Sequence, residues 1–249
     1  MNLKTTTQYS PNFEVKKRKK KKIKFLIFHY TGMKSEKNAI NRLTGIQPRV
    51  SSHYLIKNNG EIVVLVPDLY IAWHAGISQW QKEKQLNKSS IGIEISNPGH
   101  KNIYKNFSKK QIHSLIKLSK YLIKKFKIKK NFILGHSDVS PDRKQDPGEK
   151  FPWKFLSQNK IGIWHNLNQK KLFLLRGKKT SNQENILFIK NLKKFGYISQ
   201  SKTYKNKQKF KILLVKAFQR RFRPQKVNGK IDQECLIISS KMAKKLKKI

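Results

Sequence analysis

The chain reads as an α/β protein with a mixed central sheet flanked by helices, followed by a small all-α unit of three helices. Three observations carry that expectation. Short apolar runs rich in β-formers alternate with helical patterns between residues 23 and 157. The longest helical pattern lies between two of those runs. Beyond residue 182 the apolar spacing turns helical and stays so.

The elements follow in order. IKFLIFHY (23–30) is a short apolar run and predicts a buried strand. Residues 36–43 predict a helix. SSHYLIKNNGEIVVLVP holds two strand-like runs around Asn58-Asn59-Gly60, a hairpin signal. SIGIEIS (90–96) alternates and predicts a further strand, with Glu94 as its acidic member. Ser108 and Gln111 have capping-box spacing, and Ile112, Leu115, Ile116, Ser119, Leu122, Ile123 and Phe126 then fall on one helical face. Residues 131–134 predict a strand that ends at Gly135-His136. Residues 158–182 are polar and Lys-rich and read as a linker. The second unit, 183–249, opens with Ile186, Ile189, Leu192 and Phe195 at helical spacing before Gly196, a good C-cap. A helix over 210–222 follows, then a Val227-Asn228-Gly229 turn and a helix over 232–246. The intervening loop, 199–209, is strongly Lys-rich.

Composition sets limits on function. Lys and Arg total 57 against 13 Asp and Glu, for a net charge of +44. Such a charge attracts polyanions, but the lysines are spread along the chain and no nucleic-acid motif accompanies them. Lys, Asn, Ile and Phe are all encoded by A/T-rich codons, so compositional drift accounts for the excess better than a specific nucleic-acid partner does. The single cysteine, Cys235, excludes an internal disulfide and reads as a buried small side chain. No run approaches the ~20 apolar residues of a membrane span. Residues 1–22 lack the apolar core of a secretory signal and end in the basic block 16–22; they read as a solvated, disordered arm.

Chemistry concentrates in GHSDVSPDRKQDPGEKFPW (135–153), a turn-rich segment carrying His136, Lys144 and Asp146. With His29 at the end of the first strand, two imidazoles and a carboxylate are available. That set suits catalytic zinc, which takes three protein ligands and leaves one position open, although the donor types also suit other metals. Glu94 is the candidate proton carrier and Lys144 the candidate cation for an oxyanion. Each residue also has a plain structural reading. His29 could be a packed strand-end residue, Glu94 a solvent-facing one, Lys144 one lysine among many, and Asp146 a turn former before Pro147-Gly148.

IFHYTG, VSSHYLI, AWHAG, NKSSIGIEISNPG and the 135–153 segment occur in this order. Together, over roughly residues 24–153, they resemble the zinc-dependent N-acetylmuramoyl-L-alanine amidases of the type 2 amidase family, related to T7-type lysozyme and the peptidoglycan recognition proteins. The resemblance implies a catalytic domain over 23–157 that cleaves the amide between N-acetylmuramic acid and L-alanine. It implies zinc on His29, His136 and Asp146, with Glu94 and Lys144 as catalytic residues. His74 falls at a position on the rim of the substrate cleft and Trp73 beside it, where both could contact sugar or peptide; Trp73 is equally readable as a core aromatic. His53, within SSHY, reads as completing a strand and stays outside the metal set. LKKFGY, VKAFQRRF and VNGKIDQE resemble a three-helix peptidoglycan-binding domain. The implied substrate is peptidoglycan or a muropeptide and the implied state a monomer. The implied location is the cell envelope, with the cytoplasm as the alternative because no signal pattern is seen. Two competing functions are a non-catalytic recognition protein on the same fold and a polyanion-binding protein. The complete ligand set with Glu94 and Lys144 favours the enzyme.

Overall fold

In a computed structural model, which describes residues 3–47, 49–198 and 206–245, two very short strands lead the chain: β1 (Thr6–Thr7) and β2 (Phe13–Glu14). The apolar run 23–30 then forms β3 (Phe25–Tyr30), whose residues 25–29 are all buried. A strand buried on both faces belongs inside a mostly parallel sheet, and β3 lies between two parallel neighbours, the later strands Ser90–Ile95 and Ile133–Gly135. Helix α1 (Glu36–Thr44) starts where the Ser35 side chain accepts the Asn38 N–H. The hairpin forms as the Asn-Asn-Gly signal predicts, between β4 (Tyr54–Ile56) and β5 (Ile62–Val64), with Gly60 at φ +87° closing the turn. Strands β6 (Ile71–Ala72), β7 (Gln79–Trp80) and β8 (Glu83–Lys84) precede β9 (Ser90–Ile95).

Helix α2 (Lys109–Phe126) carries the reciprocal Ser108–Gln111 capping box. Its buried face is Gln111, Leu115, Leu118, Ser119, Leu122 and Phe126, while Ile112, Ile116 and Ile123 are half-buried on the flank. The apolar stripe is wider than the contact, and the helix settles with its Leu115–Leu122 line on the sheet. Strand β10 (Ile133–Gly135) runs into a one-turn helix, α3 (His136–Val139), and then α4 (Trp153–Gln158). The main sheet has the order β1-β5-β4-β9-β3-β10. β10, β3, β9 and β4 run parallel, and β5 pairs antiparallel with β4.

Two expectations for the connecting segments fail. The basic N-terminal segment is ordered over its described residues. β1 pairs with β5, β2 pairs with β6, and Arg18 is buried. The Arg18 guanidinium donates to the Asn87 and Asp68 carbonyls at 2.9 Å each, which makes burial of its charge tolerable. The 158–182 segment is likewise packed, not a loose linker. Ile161, Ile163, Trp164 and His165 are buried, and α5 (Gln169–Leu175) adds Leu172 to the core.

The last three helices are α6 (Asn182–Phe195), α7 (Lys207–Phe222) and α8 (Gln233–Lys245). α6 begins at a Ser181–Glu184 capping box and ends at Gly196. It buries Phe188, Asn191, Leu192 and Phe195; Ile186, expected on that face, is 70% exposed. Phe188 packs edge-on against Phe218 of α7, and Asn191 donates to Ser239 and Ser240 of α8. Residues 199–205 of the Lys-rich loop, and Leu246 at the expected end of the last helix, lie outside the described residues. Cys235 is buried, as expected. No helix among the described residues is long and apolar enough to cross a membrane.

Candidate active site

The parallel pairing of β3 with β10 aligns Phe28 with Gly135, so the next residues, His29 and His136, emerge side by side at the strand ends. Asp146 returns to them from the loop after α3, where the Ser137 N–H donates to the Asp146 carbonyl at 2.8 Å. His29 Nδ1 lies 2.9 Å from His136 Nδ1 and 3.0 Å from an Asp146 carboxylate oxygen, which is itself 3.0 Å from His136 Nδ1. All three side chains are buried.

The far sides of the two rings fix their tautomers. His29 Nε2 lies 3.0 Å from His74 Nδ1, and His74 Nε2 lies 3.1 Å from Ser90 Oγ, whose hydroxyl donates to the Leu86 carbonyl. Followed back from that carbonyl, His74 donates to Ser90 and His29 donates to His74. His136 Nε2 donates to the Ala75 carbonyl at 3.2 Å. Both Nδ1 atoms therefore present lone pairs to a carboxylate oxygen, and three electron-rich atoms face one another at about 3 Å. A cation among them resolves the repulsion. The edges are slightly shorter than the ~3.3 Å edge of a tetrahedral shell with bonds of about 2.0–2.1 Å, so the set fits a small divalent ion. Burial, and then the neighbouring His136, lower the His29 pKa to about 4. Burial alone would raise Asp146, but the two histidines hold its carboxyl well below the usual carboxylate range. Both residues thus keep the protonation state a metal requires.

Glu94 sits opposite His29 in the β3–β9 register. One of its carboxylate oxygens is buried with no hydrogen-bond partner. Burial, and then the Asp146 charge, push its pKa up to about 8 against the pull of Lys144 and Arg42. Lys144 is anchored by its backbone N–H to the Ser140 carbonyl. Glu94, Lys144, His136 and Asp146 line one cavity of about 510 Å³.

The two residues expected at the cleft rim part company. Trp73 lines the cavity half-buried, with the Arg49 guanidinium over its ring. His74 also borders the cavity, but its ring is buried and both its nitrogens are engaged, one of them behind His29 of the donor set. His74 orients the His29 ring of the donor set, and its sequence position beside Trp73 gave no sign of that. His53 holds no place in the donor set; its Nδ1 accepts the Gly92 N–H. Sequence reading also missed Tyr30 and His100 on the cavity wall. Tyr30 Oη lies 2.9 Å from His100 Nδ1, and His100 Nε2 lies 2.9 Å from Glu149. Alternation along β3 would send Tyr30 to the face opposite His29, so periodicity could not have found it.

Comparison with known proteins agrees with this geometry. The N-acetylmuramoyl-L-alanine amidase family model, Amidase_2, matches residues 19–149. N-acetylmuramoyl-L-alanine amidase AmiD of Escherichia coli is 35% identical over 236 residues, 90% of this chain and 83% of its own. 1,6-anhydro-N-acetylmuramyl-L-alanine amidase AmpD of Haemophilus influenzae is 41% identical over 116 residues, 46% of this chain and 61% of its own. The solved E. coli AmiD, in complex with the substrate anhydro-N-acetylmuramic acid-L-Ala-D-gamma-Glu-L-Lys, superposes with a TM-score of 0.77 over 90% of each chain. AmpDh3 from Pseudomonas aeruginosa, solved with anhydromuramic pentapeptide, is 26% identical and gives a TM-score of 0.77 over 99% of this chain and 98% of its own. With its fold, its buried donor set and these relatives in agreement, the chain belongs to the N-acetylmuramoyl-L-alanine amidase family.

Proposed function

We propose that this amidase is a zinc enzyme that hydrolyses the bond between the lactyl group of N-acetylmuramic acid and the L-alanine of the stem peptide. The observation that carries the reading is the buried triangle of His29, His136 and Asp146 donor atoms beside Glu94 and Lys144 on one cavity. His29, His136 and Asp146 would hold the ion. Zinc bound by such a set supplies Lewis acidity and brings the ionisation of a water down toward neutral pH. Glu94 accepts a proton from the attacking water and passes it to the departing alanine nitrogen; its raised pKa makes it the stronger base. Lys144 offers positive charge to the oxyanion of the tetrahedral intermediate. Trp73 gives the sugar or peptide an aromatic wall.

Two relatives solved with anhydromuramyl peptides support muropeptides as substrates; intact wall is the other substrate we propose. The helices α6–α8 would raise the concentration of the site at an insoluble polymer. We propose the cell envelope as the place of action, by the same resemblance; recovery of all the protein in the cytoplasm would refute it. The direct test is release of L-Ala-bearing peptides from purified peptidoglycan and from anhydromuropeptides, with and without chelator, beside Glu94→Ala. Failure of the zinc-loaded protein on both substrates would end the enzyme reading. Full activity in chelator would end the metal reading alone.

A further inference from the structure

The last helical unit does more than sit beside the amidase fold. Asp138, in the first turn of α3, is 1% exposed, and its Oδ2 accepts the Gly135 N–H at 2.8 Å. That bond fixes the N-terminus of the short helix on which His136 is the first residue. The same oxygen lies 2.6 Å from Arg221 Nη1, and Arg221, on α7, is also 1% exposed. Asp138 Oδ1 accepts the hydroxyl of Tyr197, one residue beyond the α6 C-cap. Arg221 Nη2 donates to the Ile133 carbonyl on β10 at 2.9 Å, and its guanidinium lies over Trp153, 4.4 Å from the ring centroid. The preceding residue, Arg220, donates to Gln145, which separates Lys144 from Asp146. Two consecutive side chains of α7 thus grip the two segments that carry His136 and Asp146.

From this juxtaposition we infer that Arg221, Asp138 and Tyr197 are positioning residues for the metal centre, and that the C-terminal helices brace the amidase site. A charge pair this deeply buried is costly unless its geometry is exact and its remaining hydrogen-bond capacity is used. Here Asp138 takes one backbone and two side-chain donors, so the pair holds one orientation. Loss of a donor lets the start of α3 relax, and with it the His136 ring, whose Nε2 reaches only the Ala75 carbonyl.

The inference rests on the metal reading above, and the experiment separates the two. The full-length chain is compared with Tyr197→Phe, Asp138→Asn, Arg221→Lys and Arg223→Lys. Arg223 is the control: it is equally buried at the end of the same helix, but it pairs with Asp232 and Glu234 inside the helical unit. Zinc affinity is read by competition with a chromophoric chelator, and ligand geometry by the visible absorption of the cobalt-substituted protein. The expected result is a loss of about tenfold in affinity for Asp138→Asn and Arg221→Lys, at the low end for supporting residues of a metal site. It includes an altered cobalt spectrum, a smaller loss for Tyr197→Phe and no change for Arg223→Lys. If Arg221→Lys does not fold, Asp138→Asn and the milder Tyr197→Phe decide the matter. Wild-type affinity and spectrum in both would overturn the brace, and so would an Arg223→Lys defect as large as theirs. A wild-type chain that binds no zinc would overturn the metal reading and the brace together.

Discussion

Replacing Glu94 by glutamine should make the metal-free protein more stable and the loaded protein nearly inactive. Burial, followed by the Asp146 charge, raises the Glu94 carboxyl from 4.5 to about 8. The folded state therefore holds a proton that the unfolded chain releases across that window. Stability is fully present below about pH 4.5 and is lost as pH rises through about 8. A difference of about 3.5 units at ~1.4 kcal/mol each sets a ceiling near 5 kcal/mol. Water entering the cavity reduces it, so a cost of about 2–5 kcal/mol above pH 8 is the working figure. Glutamine keeps the shape and cannot ionise. The stability gap between variant and wild type should be under about 1 kcal/mol at pH 5 and should open to about 2–5 kcal/mol at pH 8.5. Urea unfolding in chelator at the two pH values, with unchanged m-values, measures it. A gap of the same size at both, or none at the higher pH, would refute the cost assigned to the buried, unpartnered Glu94 oxygen. With zinc restored, kcat should fall by about 10²–10⁴, and retained activity would remove Glu94 from proton transfer.

Four further outcomes are expected. Lys144→Ala should lower kcat by about 10²–10³ with little change in KM; a pure KM effect would assign Lys144 to ground-state binding. His74→Ala should weaken zinc affinity about 10–100-fold by freeing His29 Nε2, whereas an effect on KM alone would return His74 to the substrate-contacting role. Arg18→Ala leaves one buried and one part-buried carbonyl without their donor and should cost about 2–3 kcal/mol in thermal or urea unfolding; no change would mean that the N-terminal segment adds nothing to the fold. Raising salt toward ~0.5 M should raise the melting temperature by screening the self-repulsion of a +44 chain. A flat salt response would show that its charges already sit far enough apart.

What could be read in advance was local. β3 announces itself as a short apolar run, β9 by its alternation and α2 by its helical spacing, and the Ser108–Gln111 cap marks where α2 starts. β1 and β2 are two residues long and are held by backbone pairing, which leaves no side-chain signature. Arg18 looks like one more exposed cation in a basic run, and only its tertiary acceptors make it a core residue. The 158–182 segment resembles a linker in sequence because its lysines mask Ile161, Ile163 and Trp164. The donor types of the site were legible, as were the residues that carry them. Their meeting point was not, because β3 and β10 are adjacent only in space. The part played by His74 depends on which nitrogen faces which partner, and no pattern along the chain encodes that.

The parallel register that sets His29 opposite Glu94 also governs when the site comes into being. Parallel neighbours cannot be joined by a tight turn, so every pairing that builds this site spans a long stretch of chain. His29 must wait for β9 to bring Glu94 and for β10 to bring His136. Such distant pairings form late, because loop closure has to be met before contacts reward it. A nascent chain that stops before Asp146 lacks part of the donor set. The amidase chemistry thus becomes possible only once the chain has passed Asp146 and the sheet has closed on both sides of β3.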